Sequence, residues 1–141
     1  MRRIIICDID GTVAEVIDKE KIGVVQSKCI EDVANIIRNL KDSETEIYFI
    51  TAREERYKKF TEDWFKLNDI PFDKLFMRKN GDMRSDEIIK MKIIEERIDY
   101  KKVWFVLEDN NNIIQMYLDR FRLTCLKVFN NIKKGDSNES I

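Results

Sequence analysis

The chain has 141 residues, of which 43% are hydrophobic and 38% are charged, and its formal net charge is −1. This length and composition fit one globular domain and exclude a disordered chain, and the small net charge excludes an overall basic field that would bind nucleic acid non-specifically. The sequence contains no histidine, which excludes Ser-His-Asp triads and histidine-based metal sites.

The N-terminal apolar run MRRIII ends at Asp8, too early for a signal peptide, and no segment approaches the length of a membrane span. The three cysteines, Cys7, Cys29 and Cys125, lie far apart in apolar surroundings. This pattern predicts reduced thiols in the core rather than disulfides. We therefore expect a cytoplasmic protein without a membrane partner.

Apolar runs that predict strands alternate with segments of helical periodicity. The predicted strands are residues 2–9, 46–53, 73–77, 101–109 and 123–129. The predicted helices are residues 30–40, 57–67, a segment that begins after a Ser85 cap, and 113–121. This alternation predicts an α/β fold: a single Rossmann-like three-layer domain with a central, mostly parallel five-stranded sheet and helices on both faces.

Two segments fit neither pattern. Residues 13–26, between the first strand and the first helix, are predicted to form a small flap that is too short to be a helical cap domain. Residues 130–141 are polar and are predicted to form a frayed tail, so that the domain spans residues 1–129.

Polar residues follow three of the predicted strands. In chain order they are Asp8, Asp10, Thr12, Thr51, Arg53, Glu108 and Asp109. Because the carboxyl ends of parallel strands lie at one edge of a sheet, and ligands bind beyond that edge, we expect these side chains to meet there.

The sequence DIDGT at residues 8–12 carries two carboxylates, two positions apart. Side chains at this spacing leave an extended strand on the same side, and like charges about 4 Å apart repel by roughly 4 kcal/mol in a partly screened site. Oxygen ligands from Asp8, Asp10 and Asp109 predict a Mg²⁺ ion that offsets this repulsion. The alternative is a plain turn, because Asp-Gly is a strong hairpin signal.

Three motifs, DIDGT (8–12), FITAR (49–53) and VLEDN (106–110), resemble in this order the motifs of the haloacid dehalogenase superfamily of phosphohydrolases. The stretch RKNGDMRSDEIIK (78–90) is similar to one in the 3′-phosphatase domain of phage polynucleotide kinase-phosphatase. The resemblance covers roughly residues 3–128 and includes no phosphate-binding Gly-x-x-x-x-Gly-Lys loop of a kinase.

The resemblance implies a Mg²⁺-dependent phosphomonoester hydrolase that acts through an aspartyl-phosphate intermediate. Asp8 would attack phosphorus, and Asp10 would protonate the leaving oxygen and then activate water. Thr51 would bind a phosphoryl oxygen, and Lys90 would complete the charge balance. The implied metal ligands are Asp8, Asp10 through its backbone carbonyl, Asp109 and, where an aspartate is expected, Glu108.

The candidate substrate-binding residues are Arg53, Thr12, Asp86, Lys19 and Arg84. Arg53 is predicted to contact phosphate, the alternative being an exposed arginine in the first turn of a helix. The resemblance implies that Asp86 orients a neighbouring cation, although Asp86 and Lys90 also have the i, i+4 spacing of an ordinary surface ion pair. Lys19 lies near the position of a flap arginine in the phage relative, and Arg84 would meet a polynucleotide backbone or belong to a solvated basic loop.

A short flap leaves an open mouth, which favours the end of a long substrate over a small metabolite. The leading hypothesis is therefore removal of the 3′-phosphate from a DNA or RNA end. The alternatives are a nucleotidase or small-molecule phosphatase, a phosphotransferase, and a non-catalytic binding module on the same fold. The resemblance implies no obligate protein partner.

Overall fold

The computed structural model describes residues 2–129, in which five strands alternate with four α-helices. The strands are β1 (Arg3–Cys7), β2 (Thr45–Glu54), β3 (Lys74–Arg78), β4 (Val103–Glu108) and β5 (Cys125–Lys127). The helices are α1 (Glu31–Leu40), α2 (Lys58–Leu67), α3 (Asp86–Arg97) and α4 (Asn111–Phe121), with short 3-10 helices at Lys19–Lys21, Glu55–Tyr57 and Tyr100–Lys102. The predicted tail at 130–141 lies outside the described residues.

The sheet has the strand order β3-β2-β1-β4-β5, and every neighbouring pair is parallel. The order changes direction at β1, where Cys7 pairs with Phe49 of β2 on one side and with Leu107 of β4 on the other. A crevice for ligands forms beyond the strand ends at such a point. The predicted parallel α/β fold is thus confirmed.

Alternate side chains of β1 enter two separate cores. Ile5 and Cys7 pack in the cluster that contains the buried residues of α1 and α2, whereas Ile4 and Ile6 pack in the cluster of α3 and α4. Side chains of a strand point alternately to the two faces of a sheet. Because both faces of β1 are covered, its sequence is a continuous apolar run.

The helix starts differ in how they are capped. The side-chain oxygen of Asn110 accepts hydrogen bonds from the backbone N–H groups of Asn112 and Ile113, which satisfies the first turn of α4. Ser85 stands at the predicted cap position of α3, but within residues 2–129 its hydroxyl makes no capping hydrogen bond. Acidic residues in the first turn of α3 supply the favourable charge instead.

Within residues 2–129, no helix has the length and apolar character needed to cross a membrane.

Backbone hydrogen bonds join the start of the segment 13–26 to the residues that directly follow it. The backbone N–H of Glu15 donates to the carbonyl of Lys28 at 2.9 Å, and that of Ile30 donates to the carbonyl of Val13 at 2.7 Å. Between these contacts the segment contains the 3-10 helix at Lys19–Lys21. Its action as a flap stays a prediction.

The three cysteines are free thiols in the described part of the chain. Cys7 is buried in the core as predicted, whereas Cys29 and Cys125 are only partly buried. Loss of solvation raises the pKa of Cys29 and that of Cys125 to about 11. The prediction of core thiols therefore holds fully for Cys7 alone.

Candidate active site

The ends of β1 and β4 bring three carboxylates together. One oxygen from each of Asp8, Glu108 and Asp109 lies within 4.8 Å of the other two. The backbone N–H of Asp8 donates to the carbonyl of Leu107 at 3.0 Å, so the pairing of the two strands fixes this approach. The predicted convergence of Asp8 and Asp109 at one edge of the sheet is confirmed.

Lys90 of α3 reaches the same group of carboxylates. Its Nζ atom lies 2.8 Å from Oδ1 of Asp8 and 2.8 Å from Oε1 of Glu108, and the residue is 1% exposed. Burial disfavours the charged ammonium, but the two carboxylates hold the pKa of Lys90 well above its ordinary value. The alternative of a surface ion pair with Asp86 is wrong, because Lys90 faces the sheet.

The charges of this group do not balance. Three carboxylates face one ammonium, which leaves two uncompensated negative charges when all are ionised. Burial raises the pKa of Asp8 to about 6, although Lys90 opposes this effect, and burial together with Asp8 raises the pKa of Asp109. An all-oxygen site with this excess charge fits a hard divalent cation such as Mg²⁺.

Glu108, where an aspartate was expected, uses its extra methylene to fold back on the backbone. Oε1 accepts a hydrogen bond from Lys90, and Oε2 accepts the backbone N–H groups of Asp109 at 3.0 Å and Asn110 at 3.2 Å. Both oxygens are therefore engaged with the protein. Direct binding of a metal by Glu108 stays a prediction.

The residues after Asp10 form a tight turn that permits close approach to β4. Gly11 has φ +87°, and a Cβ atom on it would collide with the carboxylate of Asp109. The hydroxyl of Thr12 lies 3.1 Å from Oδ2 of Asp8 and 3.1 Å from Oδ1 of Asp109. The plain turn that was the alternative interpretation of DIDGT is therefore present, but it is part of the site, because it holds the carboxylates of Asp8 and Asp109 together.

Asp10 and Arg53 form a forked ion pair beside this group. Nε and Nη2 of Arg53 donate to the two carboxylate oxygens of Asp10 at 2.9 and 2.7 Å, and Nη1 donates to the hydroxyl of Thr61 at 3.1 Å. Arg53 lies in β2 and is buried, so the alternative of an exposed helical arginine is wrong. Its predicted contact with phosphate stays a prediction. No sequence motif pointed to Thr61.

Thr51 of β2 is buried, and its hydroxyl accepts the backbone N–H of Arg53 at 3.1 Å. The hydroxyl hydrogen remains available to an acceptor in the cleft, because this bond uses only an oxygen lone pair.

A third cation, Arg78 of β3, holds the loop that precedes α3 through hydrogen bonds. Its Nη2 donates to Oδ1 of Asp86 at 2.6 Å, and its Nη1 donates to the carbonyls of Asp82 at 2.7 Å and Arg84 at 2.6 Å. Arg78 is thus a cation beside Asp86, and the role of Asp86 in orienting it for the substrate stays a prediction. The side chain of Arg84 is paired with Asp82.

These groups line a single cavity with a volume of about 530 Å³. Every predicted site residue except Thr12 lines it: Asp8, Asp10, Lys19, Thr51, Arg53, Arg84, Asp86, Lys90, Glu108 and Asp109. The cavity is also lined by residues with apolar side-chain surface for which no role in the site was predicted, including Tyr57 and Met83.

Known proteins share this sequence and fold. The sequence profile of the family described as polynucleotide kinase PNKP phosphatase domain matches residues 2–132. A protein of Autographa californica nuclear polyhedrosis virus, assigned as a bifunctional polynucleotide kinase/RNA ligase, is 30% identical over an alignment of 124 residues that covers 83% of this chain and 18% of that protein.

Among solved structures, a chain of the Pnkp1/Rnl/Hen1 complex superposes with a TM-score of 0.83 at 28% identity, covering 91% of this chain and 46% of that one. D,D-heptose 1.7-bisphosphate phosphatase from B. bronchiseptica shares the fold, with a TM-score of 0.60 at 16% identity over 89% of this chain and 78% of that one. This chain therefore spans less than half the length of the viral relative and of the Pnkp1/Rnl/Hen1 chain. Since the family profile covers nearly all of it, the chain belongs to the polynucleotide kinase PNKP phosphatase domain family of the haloacid dehalogenase superfamily.

Proposed function

We propose that this chain is a Mg²⁺-dependent phosphomonoester hydrolase whose substrate is the 3′-phosphorylated end of a polynucleotide. The observation that carries the proposal is the buried contact between Lys90 and Asp8 at the carboxyl edge of the sheet. A carboxylate that attacks an anionic phosphate must overcome like-charge repulsion. A fixed ammonium beside the attacking group offsets that repulsion without having to reorganise during the reaction.

Asp8 is the proposed nucleophile. Lys90 holds its Oδ1, and the hydroxyl of Thr12 lies close to its Oδ2. A carboxylate oxygen of Asp8 forms a bond to phosphorus while the bond from phosphorus to the leaving oxygen breaks, which yields an aspartyl-phosphate. Water then attacks this phosphorus, releases inorganic phosphate and restores the carboxylate.

Asp10 is the proposed proton carrier for both halves of the reaction. A protonated Asp10 gives its proton to the leaving oxygen, and the resulting carboxylate accepts a proton from the attacking water. The fork of Arg53 donates to both oxygens of Asp10, a geometry that suits the ionised form between the two steps. Arg53 is thus proposed as a positioning residue for Asp10.

Asp8 and Asp109, with the backbone carbonyl of Asp10, are the proposed ligands of Mg²⁺. The bound ion would polarise the phosphoryl oxygens and neutralise part of their charge. Glu108 is proposed to hold Lys90 and the backbone at Asp109 through its two occupied oxygens. Thr51 would donate its hydroxyl hydrogen to a phosphoryl oxygen.

Family membership and an accessible cleft support a polynucleotide end as the substrate. The family consists of phosphatase domains of polynucleotide kinases, and another solved relative, 27% identical, belongs to the Pnkp1/Rnl/Hen1 RNA repair complex. Exposed residues such as Lys19 and Arg84 line the cavity, so a chain can continue from it into solvent. The expectation that no protein partner is obligatory stays a prediction.

The test is phosphate release from 3′-phosphorylated DNA and RNA oligonucleotides, with Mg²⁺ or with a chelator. We expect release with Mg²⁺, none with the chelator, and none from Asp8→Asn. Asp63→Asn is the matched control, because among residues 2–129 the side chain of Asp63 pairs with the exposed Lys59 on α2 and with no residue of the site. If the oligonucleotides release no phosphate while free nucleotides are hydrolysed rapidly, the result would favour a nucleotidase instead.

A second measurement addresses the intermediate. Acid quenching during turnover of a labelled substrate should leave labelled phosphate on the wild-type chain, and hydroxylamine should remove it, as expected of an acyl phosphate. Active protein that carries no label, even when it is quenched during the first turnover, would point to direct attack by water.

A further inference from the structure

The loop between β3 and α3 presents an apolar side chain to solvent at the mouth of the cavity. Met83 is 91% exposed and lines the cavity that contains Asp8 and Lys90. An exposed methionine gains almost nothing from the hydrophobic effect on folding. Its position therefore has little value for the stability of the fold.

The backbone that carries Met83 is nevertheless held firmly. Nη1 of Arg78 donates to the carbonyls of Asp82 and Arg84, the residues on either side of Met83. The carboxylate of Glu54 accepts the backbone N–H of Gly81 at 2.6 Å earlier in the same loop. The fold thus fixes where the methionine stands while leaving its side chain uncovered.

Met83 is not isolated, because apolar residues of other segments line the same cavity. Val16, which is 55% exposed, comes from the segment 13–26, and Tyr57 comes from the turn before α2. The ring of Tyr57 approaches Gly23, where a Cβ atom would lie 3.1 Å from two ring carbons. The cavity therefore combines a charged group around Asp8 with an apolar surface contributed by several segments.

A ligand that matches both parts carries a phosphate and a flat apolar group. The cavity volume of about 530 Å³ is several times that of a phosphate group, so it has room for more of the substrate. A thioether makes favourable contacts with aromatic rings, and every nucleobase has an aromatic face. Such contacts carry no hydrogen-bond pattern, so they do not distinguish one base from another.

We propose that Met83, together with Val16 and Tyr57, forms a subsite for the nucleobase of the terminal nucleotide. This inference rests on the proposed function and refines it. The subsite makes the nucleotide end itself, rather than the phosphate alone, the recognised group. It accepts all four bases and disfavours phosphomonoesters of bare sugars.

The experiment compares two oligonucleotides with a 3′-phosphate that differ only in whether the terminal nucleotide carries a base or is abasic. The wild-type chain should give the higher kcat/KM on the base-bearing end. In Met83→Ala the ratio of the two kcat/KM values should fall about two- to tenfold, the size of a sulfur–aromatic contact. Met83→Leu should recover part of the ratio.

Leu67→Ala is the matched control, because Leu67 is 70% exposed at the end of α2 and is not among the residues that line the cavity. It should keep the wild-type ratio. A wild-type chain that hydrolyses both oligonucleotides equally, or a Met83→Ala ratio equal to the wild-type ratio, overturns the subsite alone. A wild-type chain that hydrolyses neither oligonucleotide but does hydrolyse small phosphomonoesters overturns the proposed function together with the subsite.

Discussion

The Nζ atom of Lys90 lies 2.8 Å from Oδ1 of Asp8, although 82 positions separate the two residues in the sequence. Both are buried, and a lone charge in either position would be strongly disfavoured. Each charge is tolerated because the other is present. The contact that permits burial of Asp8 also fixes the orientation of its carboxylate.

Lys90→Met tests whether the buried charge of Asp8 depends on the charge of Lys90. Methionine has a similar length but no charge, so the change leaves Asp8 and Glu108 buried without their cation. We expect a loss of about 3–5 kcal/mol in the free energy of unfolding, measured by urea denaturation. Phosphate release should fall about 100-fold or more, because a fixed charge next to the reacting group is lost.

Lys92→Met is the control for that experiment, since the partly exposed Lys92 lies two residues further along α3 and pairs only loosely with Glu95 at 3.7 Å. Its free energy of unfolding should stay within about 0.5 kcal/mol of the wild-type value. Full activity in Lys90→Met would contradict any role for the buried ammonium.

Arg53→Lys tests the fork that holds Asp10. A lysine keeps the charge but cannot donate to both carboxylate oxygens and to Thr61 in the same geometry. We expect kcat to fall about tenfold or more through the lost charged hydrogen bonds, with a smaller effect on KM. Arg56→Lys, at an exposed pair with Glu54, should behave as the wild type. An effect on KM alone would indicate that Arg53 binds substrate directly.

The order of the elements and the grouping of carboxylates followed from the sequence for simple reasons. A strand covered on both faces must be continuously apolar, which makes β1 and β4 conspicuous. The observed strand ends lie within two residues of the predicted ones. Parallel strands also deliver their following residues to one edge, so Asp8 and Asp109 were expected to meet.

The direction of Lys90 could not be read from periodicity, because apolar residues surround most of the circumference of α3. The prediction for Arg53 depended on where β2 ends. Because β2 continues to Glu54, Arg53 belongs to the strand and its guanidinium lies at the edge of the sheet instead of in a helix. The hydrogen bonds of Arg78 to the loop around Met83 link residues through folded geometry that has no local signal.

Gly11→Ala and Gly81→Ala separate backbone strain from collision. Both glycines have positive φ, +87° and +81°, so both substitutions impose a strained conformation of about 1–2 kcal/mol. A Cβ at Gly81 meets open space, whereas one at Gly11 collides with the carboxylate of Asp109. Denaturation should therefore show a larger loss for Gly11→Ala, and only this variant should lose stabilisation by Mg²⁺. Equal losses, with equal response to Mg²⁺, would count against the close approach.

The pH dependence of the metal-free protein provides a test of the charge on Asp8. Burial raises the pKa of Asp8 from 3.8 to about 6, so the folded state binds this proton more tightly than the unfolded state does. The resulting stability is present below about pH 4 and is lost as the pH rises through about 6. Asp8→Asn does not titrate there, while the other carboxylates are common to both proteins. In a chelator, the variant should therefore gain stability relative to the wild type across this range.

Near neutral pH, Mg²⁺ should reverse the order of stability of the two proteins, because it binds the folded wild type more tightly than the folded variant. Parallel stability curves for the two proteins, with and without Mg²⁺, would contradict both the buried charge and its pairing with the metal.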